Sequence, residues 1–252
     1  MRLKSADEID AIGQAGEIVG GVLALVGERA VPGVSTGELD ELAEGYIRDH
    51  SGAKPAFKGL YGFPATLCTS VNDEVVHGIP SPARQLEEGD LLGVDVGVEL
   101  DELFADAAVT LAIGEPSPEV QRLLAVTQEA LGVGVAEATV GATLGDVGAA
   151  IQTVVEDAGY SVIRELVGHG VGFAPHEEPH VPNFGRRGQG AALEEGLVIA
   201  IEPMVNVGRR QIRTLADGWT VVTVDGSLSA HFEHTVAVTH EGPRILTQRP
   251  GG

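Results

Sequence analysis

The chain has 252 residues, 43% of them hydrophobic, enough for a substantial buried core in one large domain or two small ones. A formal charge of −21 argues against direct contact with nucleic acid or an anionic membrane, since no basic run is present to displace counterions from phosphates. The single cysteine, Cys68, rules out an internal disulfide and a thiolate metal cluster, so a reducing cytoplasm is the expected compartment.

The chain opens on a helix. Ser5 and Glu8 form a capping-box pair, and Ile9, Ile12, Ala15, Val19, Val22, Leu23 and Val26 keep a 3.6-residue rhythm that ends near Gly27. Acidic residues before Ile18–Val26 argue against a signal peptide, and no apolar run approaches the roughly 20 residues of a membrane span. A second helix follows Gly33-Val34-Ser35-Thr36-Gly37-Glu38-Leu39 and stops by Gly52. After a loop rich in Gly and Pro come a short run from Ala65 to Val71, a segment holding His77, and a hairpin from Leu91 to Ile113. Helical patterning returns at Ser117-Pro118 and again after Gly141-Ala142-Thr143-Leu144-Gly145-Asp146-Val147. That last opening matches the second helix's opening as Gly, small apolar, hydroxyl, variable, Gly, acid, aliphatic. Shared cap chemistry and an internal duplication both account for the match. The order of elements favours duplication, with halves at about 5–113 and 117–245 inside one catalytic domain, 1–252, and a site between them.

Five residues carry the chemistry: Asp95, Asp106, His169, Glu202 and Glu233, each inside or beside an apolar, strand-like run. If Leu100 and Asp101 form the hairpin's two-residue turn, Asp95 stands directly opposite Asp106. Two like charges so placed are destabilising unless one protonates or a cation bridges them. Four carboxylates converging in a low-dielectric pocket carry about −4, which two divalent ions would neutralise. His169, between Gly168 and Gly170, would complete a shell; its glycines lack the spacing and surroundings of a dinucleotide fingerprint. Oxygen-rich ligation with one imidazole suits manganese, iron or cobalt, and zinc fits too. Such a centre lowers the pKa of water and polarises a carbonyl, as amide hydrolysis requires. His77 and His176 sit in loops, where an imidazole could face a scissile carbonyl or leaving amine. His180, His231, His234 and His240 read as strand or loop positions, Glu177 and Glu178 as a solvated or capping pair, and Cys68 as a poor nucleophile.

Taken together these segments resemble the type I methionine aminopeptidases of the pita-bread fold. The resemblance rests on Pro32-Gly33-Val34-Ser35-Thr36, Asn72–Pro80, Gly168–Gly172, His176-Glu177-Glu178-Pro179, Ile201-Glu202-Pro203-Met204 and Ser227–Thr235, and spans nearly the whole chain. It implies an α+β fold of two pseudo-symmetric halves, with helices packed on a curved antiparallel sheet. It implies two divalent ions on Asp95, Asp106, His169, Glu202 and Glu233, with Asp106 and Glu233 bridging. It implies catalytic and substrate contacts at His77 and His176, and a methionine pocket lined by Phe63, Cys68 and Trp219. Leu60, Pro175, Gly97 and Ala107 depart from the family pattern, making the pocket less aromatic and removing hydroxyls beside the metal-binding aspartates. The implied reaction removes the initiator methionine from a peptide or nascent chain whose second residue is small, close to the ribosome and by a monomer. A proline-specific peptidase of the same fold and a metal-free peptide-binding relative are the alternatives; the Val76–Pro80 segment and the five ligand-type residues favour the first reading.

Overall fold

A computed structural model describes residues 1–249, and its helices start where the capping residues place them. Ser5, Ser35 and Thr143 each accept a backbone N–H from, and bond back to, the acid three positions on, while Ser117 caps a helix with Pro118 in its first turn. In chain order the elements are α1 (Ala6–Arg29), α2 (Thr36–Arg48), β1 (Ala53–Pro55), β2 (Leu67–Val71), β3 (Glu74–Val76), β4 (Leu91–Leu100) and β5 (Leu103–Ala112). The second half contains α3 (Pro118–Glu137), α4 (Leu144–Asp157), β6 (Ser161–Val162), β7 (Gly168–Gly170), β8 (Glu177–Val181), β9 (Val198–Ile201) and β10 (Met204–Asn206). It continues with β11 (Ile212–Thr214), β12 (Val221–Thr223), β13 (Ser229–His231), β14 (His234–Thr239) and β15 (Gly242–Ile245).

Each half builds an antiparallel sheet, β1-β4-β2 with β5 on β4 in the first and β15-β14-β9-β7-β8 in the second. Two short ribbons, β13-β10-β6 and β11-β12-β3, complete the strand set among the described residues. The repeated motif has a packing origin as well as a capping one. Gly33 and Gly141 share a left-handed φ (91° and 87°), and the caps Ser35 and Thr143 each bridge an extended segment, at Gln85 and Ala192. Gly37 and Gly145 lie so close to backbone, at Pro82 and at Arg186 and Gln189, that a Cβ would collide at either position. These close approaches extend the likeness of the two helix openings beyond their shared cap chemistry.

Helix α1 runs to Arg29, past the expected stop at Gly27. By length and composition its 24 residues could cross a membrane, contrary to the expectation that no segment comes near that length. Ile12, Ala15, Val19, Val22, Leu23 and Val26 are instead buried in the protein core, in one cluster with Val94, Val96 and Val98 of β4 and Val236, Ala237 and Val238 of β14.

The β4–β5 turn differs from the expected one. Asp101 and Glu102 both take positive φ (49° and 66°), the conformation of a two-residue I′ turn, so Leu100 pairs with Leu103. Asp106 therefore pairs with Gly97 and Asp95 with Ala108, which corrects the direct Asp95–Asp106 pairing. The shift is by two residues, so both aspartates keep the same face and become diagonal neighbours.

Candidate metal centre

Strands from both sheets deliver the five acid and imidazole side chains to one cavity. Asp95 comes from β4, Asp106 from β5, His169 from β7, Glu202 from the residue after β9, and Glu233 from the link between β13 and β14. The halves are joined at this point. The Thr235 hydroxyl donates to the Asp106 carbonyl (2.8 Å) and accepts from the Asp106 N–H (3.1 Å), and the Glu233 N–H donates to the Ala108 carbonyl (2.9 Å).

Ligand atoms of Asp106, His169 and Glu233 lie within 4.8 Å of one another, and all three residues are buried. His169 Nε2 is 3.4 Å from Asp106 Oδ2 and 3.7 Å from Glu202 Oε1. Its Nδ1 is 3.0 Å from the Gly170 carbonyl, which can only accept, so Nδ1 carries the proton and Nε2 turns a lone pair to the cavity. Asp95 Oδ1 is buried with no hydrogen-bond partner. Burial pushes Asp95 and Glu202 up to about 8 and Glu233 well above the usual carboxylate range, and the neighbouring acids push in the same direction. Acids this costly to ionise, one with an orphaned oxygen, form an oxygen-rich donor set that fits divalent cations.

The cavity measures about 650 Å³. On one side of the acids are Phe63, Cys68 and Trp219, with Phe63 and Trp219 edge to face at 5.1 Å and His77 edge-on to Trp219 at 6.4 Å. His77 holds a positive φ (59°), the kind of backbone conformation that collects at functional sites, and burial lowers its pKa to about 4. His176 stands at the open mouth, 4.4 Å from the His169 ring, and desolvation together with that ring lowers its pKa. The structure thus brings together all ten residues singled out for the site.

The departures have local explanations. A Cβ at Gly97 would meet Phe57 at 2.6 Å, so a ring occupies the space a hydroxyl side chain would need. Leu60 packs in the same apolar cluster as Phe63 and Cys68.

Four residues lie at or beside the cavity without having been singled out. His231 ends β13, as its reading as a strand position expected, and is buried with Nε2 3.5 Å from Glu202 Oε2, a contact that reading did not include. Strand period two from Glu233 was the available signal. Tyr61, 78% exposed, lines the mouth with its ring stacked on His176 at 6.2 Å. Lys4 and Glu177 form a buried ion pair of 3.0 Å, and Glu177 also accepts from the N–H groups of Phe173 (2.6 Å) and Ala174 (3.1 Å). Glu177 is therefore a capping acid and not a solvated one; a contact 173 residues apart left no trace in the sequence. Glu178, by contrast, is exposed.

Lys4 in this way ties down the loop that carries His176. Lys4→Met leaves the Glu177 carboxylate part-buried without its cation, and urea denaturation should show a loss of about 3 kcal/mol. A loss under 1 kcal/mol would mean that water takes over the lysine's role.

A model of metallopeptidase family M24 matches residues 10–240, and the chain belongs to this family. It is a metallopeptidase by membership, with a buried Asp/His/Glu group able to hold a divalent ion. Its relatives narrow the class further. A methionine aminopeptidase of Clostridium perfringens is 51% identical over 97% of this chain and 98% of its own length. Crystal structures of methionine aminopeptidases from Thermotoga maritima and Rickettsia prowazekii superpose with a TM-score of 0.96 each, at 43% and 38% identity, covering 99% and 98% of this chain and 100% and 99% of theirs. Prolidase from Pyrococcus furiosus shares the fold, with a TM-score of 0.80 at 24% identity, over 98% of this chain and 65% of the prolidase.

Proposed function

We propose that the chain is a methionine aminopeptidase that removes the N-terminal methionine from peptides and nascent proteins whose second residue is small. The observation that carries this reading is the placement of an apolar, sulfur-containing and aromatic pocket (Phe63, Cys68, Trp219) against the acid-and-imidazole cluster. A thioether is unbranched and polarizable, and a narrow pocket of soft and aromatic groups suits it.

Asp95, Asp106, His169, Glu202 and Glu233 would hold two divalent ions, of cobalt, manganese, iron or zinc, with Asp106 and Glu233 shared between them. Two bound ions would supply a water of lowered pKa and a polarised carbonyl. His77, kept neutral by burial, would contact the scissile amide, and its position beside Trp219 places it at the pocket's edge. His176, neutral for the same reason, would donate to the oxyanion or pass a proton to the leaving amine. The single polypeptide would act as one catalytic domain and a monomer, in the cytoplasm near the ribosome that presents its substrates.

The test is a paired peptide assay. Metal-loaded protein should release methionine from Met-Ala-Ser and leave an Xaa-Pro peptide intact. Faster turnover of the Xaa-Pro peptide would transfer the assignment to the proline-specific branch of the fold.

A further inference from the structure

Glu202 has one imidazole nitrogen near each of its carboxylate oxygens. His169 Nδ1 donates to the Gly170 carbonyl, which leaves Nε2, 3.7 Å from Glu202 Oε1, as the nitrogen placed to offer a lone pair to a cation. His231 approaches the other oxygen, Oε2, at 3.5 Å, and its Nε2 is buried with no hydrogen-bond partner. A buried imidazole nitrogen left unpaired is costly, and Glu202 Oε2 at 3.5 Å is the carboxylate oxygen nearest to it, with Asp95 the next acid facing the ring.

The position of His231 is unusually well determined. Its N–H donates to the Thr110 hydroxyl (2.9 Å), and the same hydroxyl donates to its carbonyl (2.8 Å). Thr110 belongs to β5, the strand that also carries Asp106, while β13 pairs through His231 with Met204, two residues beyond Glu202. The His231 backbone, from which the imidazole projects, is therefore fixed to both the strand of one acid and the segment of another. The close group of ligand atoms among the described residues is Asp106, His169 and Glu233, without His231.

We infer that His231 is a positioning residue for the metal centre: its Nε2–H donates to Glu202 Oε2, fixes the carboxylate's rotation, and directs Oε1 toward the ion beside His169. This rests on the reading of the cluster as a metal site. Outer partners of this kind, which hold ligands rather than ions, typically change metal affinity by about 10- to 100-fold when removed.

The experiment titrates manganese into chelator-stripped protein by calorimetry, for the parent, His231→Ala and His231→Gln. Parent protein should bind, His231→Ala should bind about 10- to 100-fold more weakly, and His231→Gln, whose amide N–H can reach the same oxygen, should recover most of that loss. The cobalt-loaded absorption spectrum should shift in His231→Ala and return toward the parent's in His231→Gln, which loss of packing alone would not produce. Nitrogen-15 spectra of histidine-labelled parent give a reading that does not depend on any variant folding: Nε2 of His231 should be protonated both with and without zinc. An unprotonated or zinc-shifted Nε2 overturns the inference in favour of direct ligation, and equal manganese affinity in a folded His231→Ala overturns it outright. A parent that takes up no divalent ion would overturn the metal-site reading itself, a separate result.

Discussion

Glu233→Ala should lower kcat/KM on Met-Ala-Ser by about four orders of magnitude, equivalent to about 5.5 kcal/mol of transition-state stabilisation. Glu233 is 3% exposed and one of the three residues whose ligand atoms cluster most tightly. As a shared ligand it would serve both ions, so its removal loosens two shells where loss of Asp95 loosens one. Its backbone is also a joint between the halves, through its N–H to Ala108, and alanine keeps that bond. The fold should survive while the site empties. Calorimetric titration should show the number of bound ions falling alongside the rate. Activity within tenfold of the parent's would remove Glu233 from the ligand set.

Stability of the metal-stripped protein should fall as pH rises from 6.5 to 8. Asp95 and Glu202 have folded pKa values of about 8 against ordinary values of 3.8 and 4.5. For groups raised in this way the contribution is fully present below the ordinary value and is lost as pH rises through the folded one. Each costs about 1.4 kcal/mol per pH unit in that window. Between pH 4 and 6.5 the histidines oppose this. His77 and His234 are lowered from 6.5 to about 4, so the unfolded chain binds protons that the folded chain refuses, and stability there rises with pH. Glu233, also raised, adds to the acids' side, and His176 and His231, also lowered, add to the imidazoles', so the two sets oppose one another across this window. Above 6.5 the imidazoles no longer contribute, and the raised acids Asp95, Glu202 and Glu233 together should cost several kcal/mol by pH 8, on the order of 1.4 kcal/mol per pH unit for each proton released. A divalent ion replaces the protons on the carboxylates, so manganese at a hundred times its Kd should add about 2.7 kcal/mol. Chemical denaturation at pH 6.5 and 8, with chelator and with manganese, measures both effects. Equal stability of the stripped protein at the two pH values would mean that the acids are not desolvated as placed.

Local chemistry determined the helix starts, because Ser5, Ser35, Ser117 and Thr143 satisfy backbone donors within three residues of themselves and need no tertiary partner. It also made the four acids and the glycine-flanked His169 conspicuous, since an acid in an apolar run needs either a proton or a cation whatever the fold. The hairpin's register was beyond it: Leu100-Asp101 and Asp101-Glu102 are both plausible turns, and the positive φ of Asp101 and Glu102 decides between them only once the strands pair. The duplicated helix opening was ambiguous for a related reason, since Gly37 and Gly145 show their purpose only when Pro82 and Gln189 lie against them. Lys4 and Glu177, and likewise His231 and Glu202, are far apart along the chain, and no local pattern encodes such contacts. Residue types and their spacing could therefore name the candidate groups for an ion, while the folded sheets alone determined which side chains lie against those groups, because that depends on distances closed by tertiary packing.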